Sequence, residues 1–176
     1  MIEIELRRRL ARVVIAGDSL AACCPFWRLS ARPLATLNLA RGGARLADVA
    51  AQLRAAPRRA ALRFVLDGGL NDLLAAGAST ASIERDFREA LEALPDPARA
   101  VFTLMPHTSD KEETSRIDAA NAAMAELCRR HAVAVLDLNP IVSRGGVRRP
   151  EMTEDGLHFT RRANALWLKA LRPMLA

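Results

Sequence analysis

There is no tyrosine in the sequence, aromatic residues make up only 4%, and Lys111 and Lys169 are the only lysines among 26 basic side chains. So few rings leave little on which a sugar or a base could stack; Phe26, Trp27 and Phe159 are the nearest to the motifs described below. No apolar run approaches the roughly 20 residues that a membrane-spanning helix needs, so a soluble protein is expected. Cysteine is scarce and odd in number. Cys23, Cys24 and Cys128 have no metal-ligand spacing, which excludes a disulfide framework or a zinc site and leaves them as reduced thiols, the first two read as small core residues.

What is abundant is arginine, which carries nearly all of the net charge of +6. An arginine excess raises nucleic acid as a partner. The arginines are dispersed, however, and the pairs Arg58-Arg59 and Arg129-Arg130 fall where helices are expected to end, where a cation offsets the helix dipole. This distribution argues against nucleic acid. The first 23 residues superficially resemble an exported lipoprotein leader, with arginines, an apolar stretch and Leu20-Ala21-Ala22-Cys23. Asp18 would then lie inside the apolar region, and cleavage before Cys23 would discard Ser19, so a cytoplasmic protein is expected instead.

The chain of 176 residues suits one α/β domain, residues 1–176, with a sizeable core. Residues 12–17 (RVVIAG) form a short β-branched run closed by glycine, as in a buried strand, and similar runs recur at 34–39, 62–66, 100–105 and 133–138. Between them the apolar period becomes helical: Leu46, Val49, Ala50 and Leu53; then Ile83, Phe87, Ala90 and Leu91; then Ile117, Ala120, Met124 and Leu127. Continuous apolar strands alternating with amphipathic helices predict a five-stranded parallel sheet in a three-layer α/β/α sandwich with right-handed crossovers. A last helix from about Thr160 carries Trp167 on its core side, and residues 139–158 read as one long irregular loop, a length that in compact domains usually signals function.

Ligands of an open parallel sheet bind at the carboxyl ends of the strands, so the strand exits are where chemistry is sought. They read Gly17-Asp18-Ser19-Leu20, then Arg41-Gly42-Gly43, then Gly69-Leu70-Asn71-Asp72, and the long loop ends in Asp155-Gly156-Leu157-His158. A serine hydroxyl becomes a good nucleophile only when a base takes its proton and a carboxylate orients that base. Ser19, His158 and Asp155 supply those three types, and a three-residue spacing lets Asp155 and His158 share one side of a turn. Acyl transfer also needs donors for the oxyanion; a glycine N–H after the second strand and the Asn71 amide fit, with the Ser19 N–H as a third. Adjacent Gly42 and Gly43 both qualify, and spacing from Asn38 favours Gly43.

Taken in order, GDSL, the Gly43 turn, GLND and DGLH resemble the four sequence blocks of the SGNH hydrolases, also called GDSL esterases and lipases. The blocks span residues 13–160. The resemblance implies a flavodoxin-like fold, Ser19, Gly43, Asn71 and His158 as the family's naming residues, Asp155 as the third triad member, and no metal or organic cofactor. Many members carry a glycine where this chain has Ala40. The G-x-S-x-G elbow of the larger α/β-hydrolases is absent, as is the G-x-G-x-x-G of nucleotide-binding sheets.

Plainer uses exist for each residue: Ser19 as a helix cap, Asp155 as a turn former, Asp18 and Asp72 as backbone-bonding turn residues, His131 as a cation at a helix end. Arg41, Gly42, His107 and Phe159 are the expected substrate contacts, although a hydrogen-bonded loop position is the favoured use of His107. Arg144, Arg148, Arg149 and Arg161, if they face the site, would draw an anionic ester. With little sequence to spare for a lid, short-chain or exposed acyl esters are expected over long buried chains. The alternative is a catalytically silent scaffold binding an anionic ligand or nucleic acid.

Overall fold

The computed structural model describes residues 2–25, 27 and 35–175, with the backbone alone for 2–4. Leu34, where the second apolar run begins, and Phe26 lie outside the described residues. The elements in chain order are α1 (Ile2–Leu10), β1 (Val13–Ala16), α2 (Ser19–Cys23), β2 (Thr36–Asn38), α3 (Leu46–Arg54), β3 (Arg63–Leu66), α4 (Thr80–Glu92), β4 (Ala100–Thr103), α5 (Thr114–Arg130), β5 (Ala134–Leu136), α6 (Asn139–Val142), β6 (Ser143–Arg144), β7 (Val147–Arg148) and α7 (Arg161–Leu171). β1 to β5 form a parallel sheet in the order β2-β1-β3-β4-β5, the flavodoxin-like arrangement. The order reverses at β1, so the crevice beyond the carboxyl ends of β1 and β3 is the expected place for a ligand.

The two faces can be assigned from neighbouring residues of β4, whose side chains point to opposite sides. Phe102 stacks on Phe87 of α4 at 4.5 Å between ring centroids, and Thr103 accepts a hydrogen bond from the Trp167 indole N–H of α7 at 3.0 Å. α3, α4 and α5 pack side by side on the Phe102 face. On the other, Trp27 meets Trp167 edge to face at 5.0 Å, which ties the segment after β1 to α7. The inner strands β1, β3 and β4 are buried along their apolar residues because both faces are covered, whereas the edge strand β5 is partly exposed. Asn121, polar within the apolar stripe of α5, brackets the Met105 peptide, accepting its N–H at 2.9 Å and donating to its carbonyl at 2.8 Å.

Three sequence expectations need correction. Residues 139–158 are not irregular: they hold α6, a β6–β7 hairpin and a 3₁₀ turn at Pro150–Met152, and a bridge joins Thr153 to Phe159. These elements have two to four residues each, too short to show a period. Residues 2–10, to which the sequence assigns no element, form α1. And Arg59 lies beyond the end of α3: its guanidinium donates to the carbonyls of Arg8, Arg9 and Ala11 at 3.2, 2.6 and 2.6 Å, serving the carboxyl end of a different helix. Arg129 and Arg130 do occupy the last turn of α5, where both also bond Glu126. Among the described residues no helix is long and apolar enough to cross a membrane.

The Arg59 contacts give a local expectation. Arg59→Ala removes three donors from the end of α1 and should cost about 1 kcal/mol, because these bonds are partly exposed to water. Amide exchange should accelerate over residues 7–11 and stay unchanged in β3 and β4.

Candidate active site

The nucleophile candidate sits on a turn held from four directions. β1 ends at Ala16, and Ser19 is the first residue of α2, capped not by its own hydroxyl but by Asp18, whose carboxylate accepts the Leu20 N–H at 2.9 Å. Gln52 of α3, buried, grips the Gly17 peptide with its side-chain amide, accepting the N–H at 2.7 Å and donating to the carbonyl at 3.1 Å. Asp67, at the exit of β3, accepts the N–H groups of Asp18 and Ala21, each at 3.2 Å. From β2, Asn38 donates to the Ala21 carbonyl at 3.2 Å. Gly17 is required: a Cβ there would lie 1.4 Å from the Asp67 carboxyl oxygen.

Asp18 and Asp67 are both buried, and they share the space beneath Ser19. Burial pushes the Asp67 carboxyl well above the usual carboxylate range, and the charge of Asp18 pushes it further. Burial raises the Asp18 carboxyl too, so the pair favours holding one proton, and the more deeply buried Asp67 is the preferred holder.

The base candidate reaches Ser19 from the far end of the chain. Between the bridged residues Thr153 and Phe159 the backbone doubles back at Gly156 (φ 93°), with Thr153 donating its hydroxyl to the His158 carbonyl at 2.9 Å. One Asp155 carboxylate oxygen accepts the backbone N–H groups of Leu157 (3.0 Å) and His158 (2.7 Å). The other lies 2.6 Å from His158 Nδ1, and His158 Nε2 lies 2.9 Å from Ser19 Oγ. The proton that Asp155 accepts belongs on Nδ1, which leaves the Nε2 lone pair facing the serine hydroxyl. The hydrogen bonds from His158, side chain first and then backbone, hold the Asp155 carboxyl well below the usual range, so it stays ionised in mild acid.

The oxyanion candidates stand at the exits of β2 and β3, the two strands that flank β1. Residues 41–44 make a tight turn closed by the Ala44 N–H on the Arg41 carbonyl at 3.2 Å, and its third residue, Gly43, has φ 72°, a value glycine adopts without strain. Gly42 sits in the same turn without a positive φ, which distinguishes the two glycines by backbone need. Asn71 opens a π-helical turn after β3 and donates from its amide to the Ala44 carbonyl at 2.9 Å, leaving a second amide hydrogen for a ligand. Asp72 accepts the Leu46 N–H at 3.1 Å, so it fixes the start of α3 rather than its own turn.

A cavity of about 370 Å³ opens beside Ser19 and His158, with Leu20, Cys23, Pro25, Glu154, Arg161 and Asn164 among its walls. Cys23 is exposed there, whereas Cys24 is buried; only the second is a core residue. Phe159 contributes an edge to the cavity but is itself buried, its ring against Trp167 at 5.7 Å between centroids. Trp27 is buried as well, so neither offers an open stacking face. His107 is placed elsewhere: it is buried, with Nε2 2.8 Å from Asp118 and its backbone N–H on Asn139. Arg41 is exposed and 3.4 Å from Asp48. Arg148, expected to attract anions, is buried. Gln52, Asp67, Asn164 and the structural part of Arg148 were not anticipated from the sequence. Asp67 alone left a trace there, as an acid closing an apolar strand just before two glycines.

Against known proteins, a family model described as the GDSL-like lipase/acylhydrolase family matches residues 15–166. An N-acylneuraminate cytidylyltransferase of Streptococcus agalactiae is 29% identical over 132 residues, covering 73% of this chain but only 32% of that protein. The chain thus spans about a third of the length of the curated relatives it matches. In fold it is similar to a GDSL-like lipase of Bacteroides thetaiotaomicron (TM-score 0.77, 13% identity, 96% of this chain and 89% of the other). It is also similar to a carbohydrate esterase of family 3 from Talaromyces cellulolyticus (TM-score 0.70, 17% identity, 94% and 96%).

The proton on Asp67 gives a pH-dependent expectation. A folded-state acid with a raised pKa contributes stability below its unfolded pKa, and that contribution is lost as pH rises towards the folded value, because only the unfolded chain releases the proton. Asp67→Asn keeps a donor towards Asp18 without a proton to lose. The difference in Tm between variant and wild type should therefore move in favour of the variant from about pH 4 to about pH 8. A constant difference across that range would mean that Asp67 is ionised in the fold.

Proposed function

Because the chain belongs to the GDSL-like lipase/acylhydrolase family, we propose that it is a serine ester hydrolase in which Ser19 is the nucleophile, His158 the base and Asp155 its orienting carboxylate. The observation that carries this reading is the continuous hydrogen-bonded line from Ser19 Oγ to His158 Nε2 (2.9 Å) and from His158 Nδ1 to Asp155 (2.6 Å). Ser19 Oγ attacks the ester carbonyl carbon while its proton passes to Nε2, and the N–H groups of Ser19 and Gly43 with the Asn71 amide hold the oxygen that becomes negative. As the carbonyl re-forms, the C–O bond breaks and Nε2 returns the proton to the leaving alkoxide. Water, deprotonated by the same nitrogen, then attacks the acyl-serine; the bond from the acyl carbon to Ser19 Oγ breaks, Nε2 returns the proton to that oxygen, and the acid is released. Asp155, ionised throughout, stabilises the imidazolium formed in each step.

The cavity supports short acyl groups: about 370 Å³ is near the lower end of the roughly 300–1,000 Å³ of small-molecule sites. Glu154, Arg161 and Asn164 give it polar walls, which suits acetyl esters of hydroxyl-rich alcohols better than long acyl chains.

A fluorophosphonate probe should label the wild type stoichiometrically and neither Ser19→Ala nor His158→Ala. Nitrophenyl acetate turnover should fall at least about a thousandfold in both variants, and wild-type turnover should decline as the acyl chain lengthens. A folded protein that takes no label would leave the site as a binding scaffold.

A further inference from the structure

The geometry points to Arg148 as the positioning residue of the catalytic histidine, a role that rests on the hydrolase reading of Ser19 and His158. Arg148 lies on β7 and is only 2% exposed, one of the largest fully buried side chains of the molecule. Its backbone N–H donates to the Thr108 carbonyl at 2.8 Å, and its Nε donates to the His107 carbonyl at 2.7 Å, so the residue is anchored to the segment that leaves β4. From that anchor the guanidinium reaches the base loop twice. Nη1 donates to the Leu157 carbonyl at 3.2 Å, and the guanidinium carbon lies 4.5 Å from the centre of the Phe159 ring.

Leu157 and Phe159 are the two neighbours of His158. One side chain thus holds both flanks of the catalytic residue, the first by its carbonyl and the second by its ring, and ties them to the sheet. Only a guanidinium does this: it donates in its plane in two directions and offers a flat cationic face to an aromatic ring. Burying it is costly. Desolvation pushes the arginine down to about 10, opposed in part by the nearby Asp155 carboxylate, and Nη2 has no hydrogen-bond partner among the described residues. The titratable groups facing it are Asp155 and His158 on the loop it holds and the His107–Asp118 pair behind it. No carboxylate forms a direct ion pair with it among the described residues, so its contribution is placement, made through a carbonyl and a ring.

The imidazole must meet Ser19 Oγ within hydrogen-bond reach, and a misplacement of about 1 Å can cost about a hundredfold in rate. Arg148→Ala should therefore lower kcat on nitrophenyl acetate about 10- to 100-fold while KM stays within about twofold. Ethylguanidinium should restore much of the loss, and ethylammonium should not. A second readout needs no turnover: the low-field proton resonance of the His158 Nδ1–H, identified by its absence in His158→Ala, should shift or broaden in Arg148→Ala.

Wild-type kcat in the folded variant, a loss confined to KM, or an unmoved resonance would each overturn the role. If Arg148→Ala does not fold, Arg148→Lys keeps the charge without the fork or the flat face and is read in the same way, full kcat counting against the proposal. Absence of Ser19-dependent turnover in the wild type would overturn the hydrolase reading instead, and the resonance would still decide whether Arg148 holds His158.

Discussion

Beneath Ser19 a carboxyl group occupies the volume where a side chain at position 17 would be, and the rest of the site is referenced to that contact. Because Asp67 fills the space, Gly17 can bear no Cβ, the chain must turn there, and the N–H groups of Asp18 and Ala21 find their acceptors. Asp67 belongs to the exit of β3, beside β1 in the sheet, and a few residues later the same segment delivers Asn71 and Asp72. The Ser19 turn, the Asn71 amide and the start of α3 are thus tied to one piece of backbone. That piece is rigid because it continues a buried strand.

Charge is arranged in a way that composition does not reveal. Several of the surface ion pairs among the described residues join arginines to acids three or four residues away on the same helix, as Arg129 and Arg130 share Glu126 and Arg88 meets Glu84. Such pairs add little to stability but consume the cations that a polyanion would need. The arginines that matter most to the architecture bond carbonyl oxygens instead: Arg59 at the end of α1, and Arg148 behind the base loop. Part of the arginine excess on this chain is therefore a matter of internal bracing and helix-surface pairing.

The five strands and the candidate triad were legible because each has a local signature. An apolar run ending in glycine is a strand wherever it falls, and Asp155 must stand close to His158 in sequence to share its turn. The supporting residues carry no such mark. Gln52 lies among the buried residues of α3, and its role appears only when β1 is seen passing beneath it. Arg148 reads as one more exposed cation until the hairpin folds it under Phe159. His107 illustrates the converse: a histidine at a strand exit looks like a ligand contact, but Asp118, one turn into a neighbouring helix, claims its ring. Support residues act between layers, and layer contacts are not written in local pattern.

Ser19 and His158 are separated by 139 residues, and the segment carrying the histidine follows the last strand of the sheet. A chain emerging from synthesis completes β5 before the base loop exists, so the sheet can assemble around a serine that has nothing to take its proton. Closing so long a loop adds only a modest entropic penalty, since that cost grows with the logarithm of length. In the hydrolase reading, Ser19 therefore meets its base only when the base loop and α7 dock, the same event that brings Trp167 into the core and completes it.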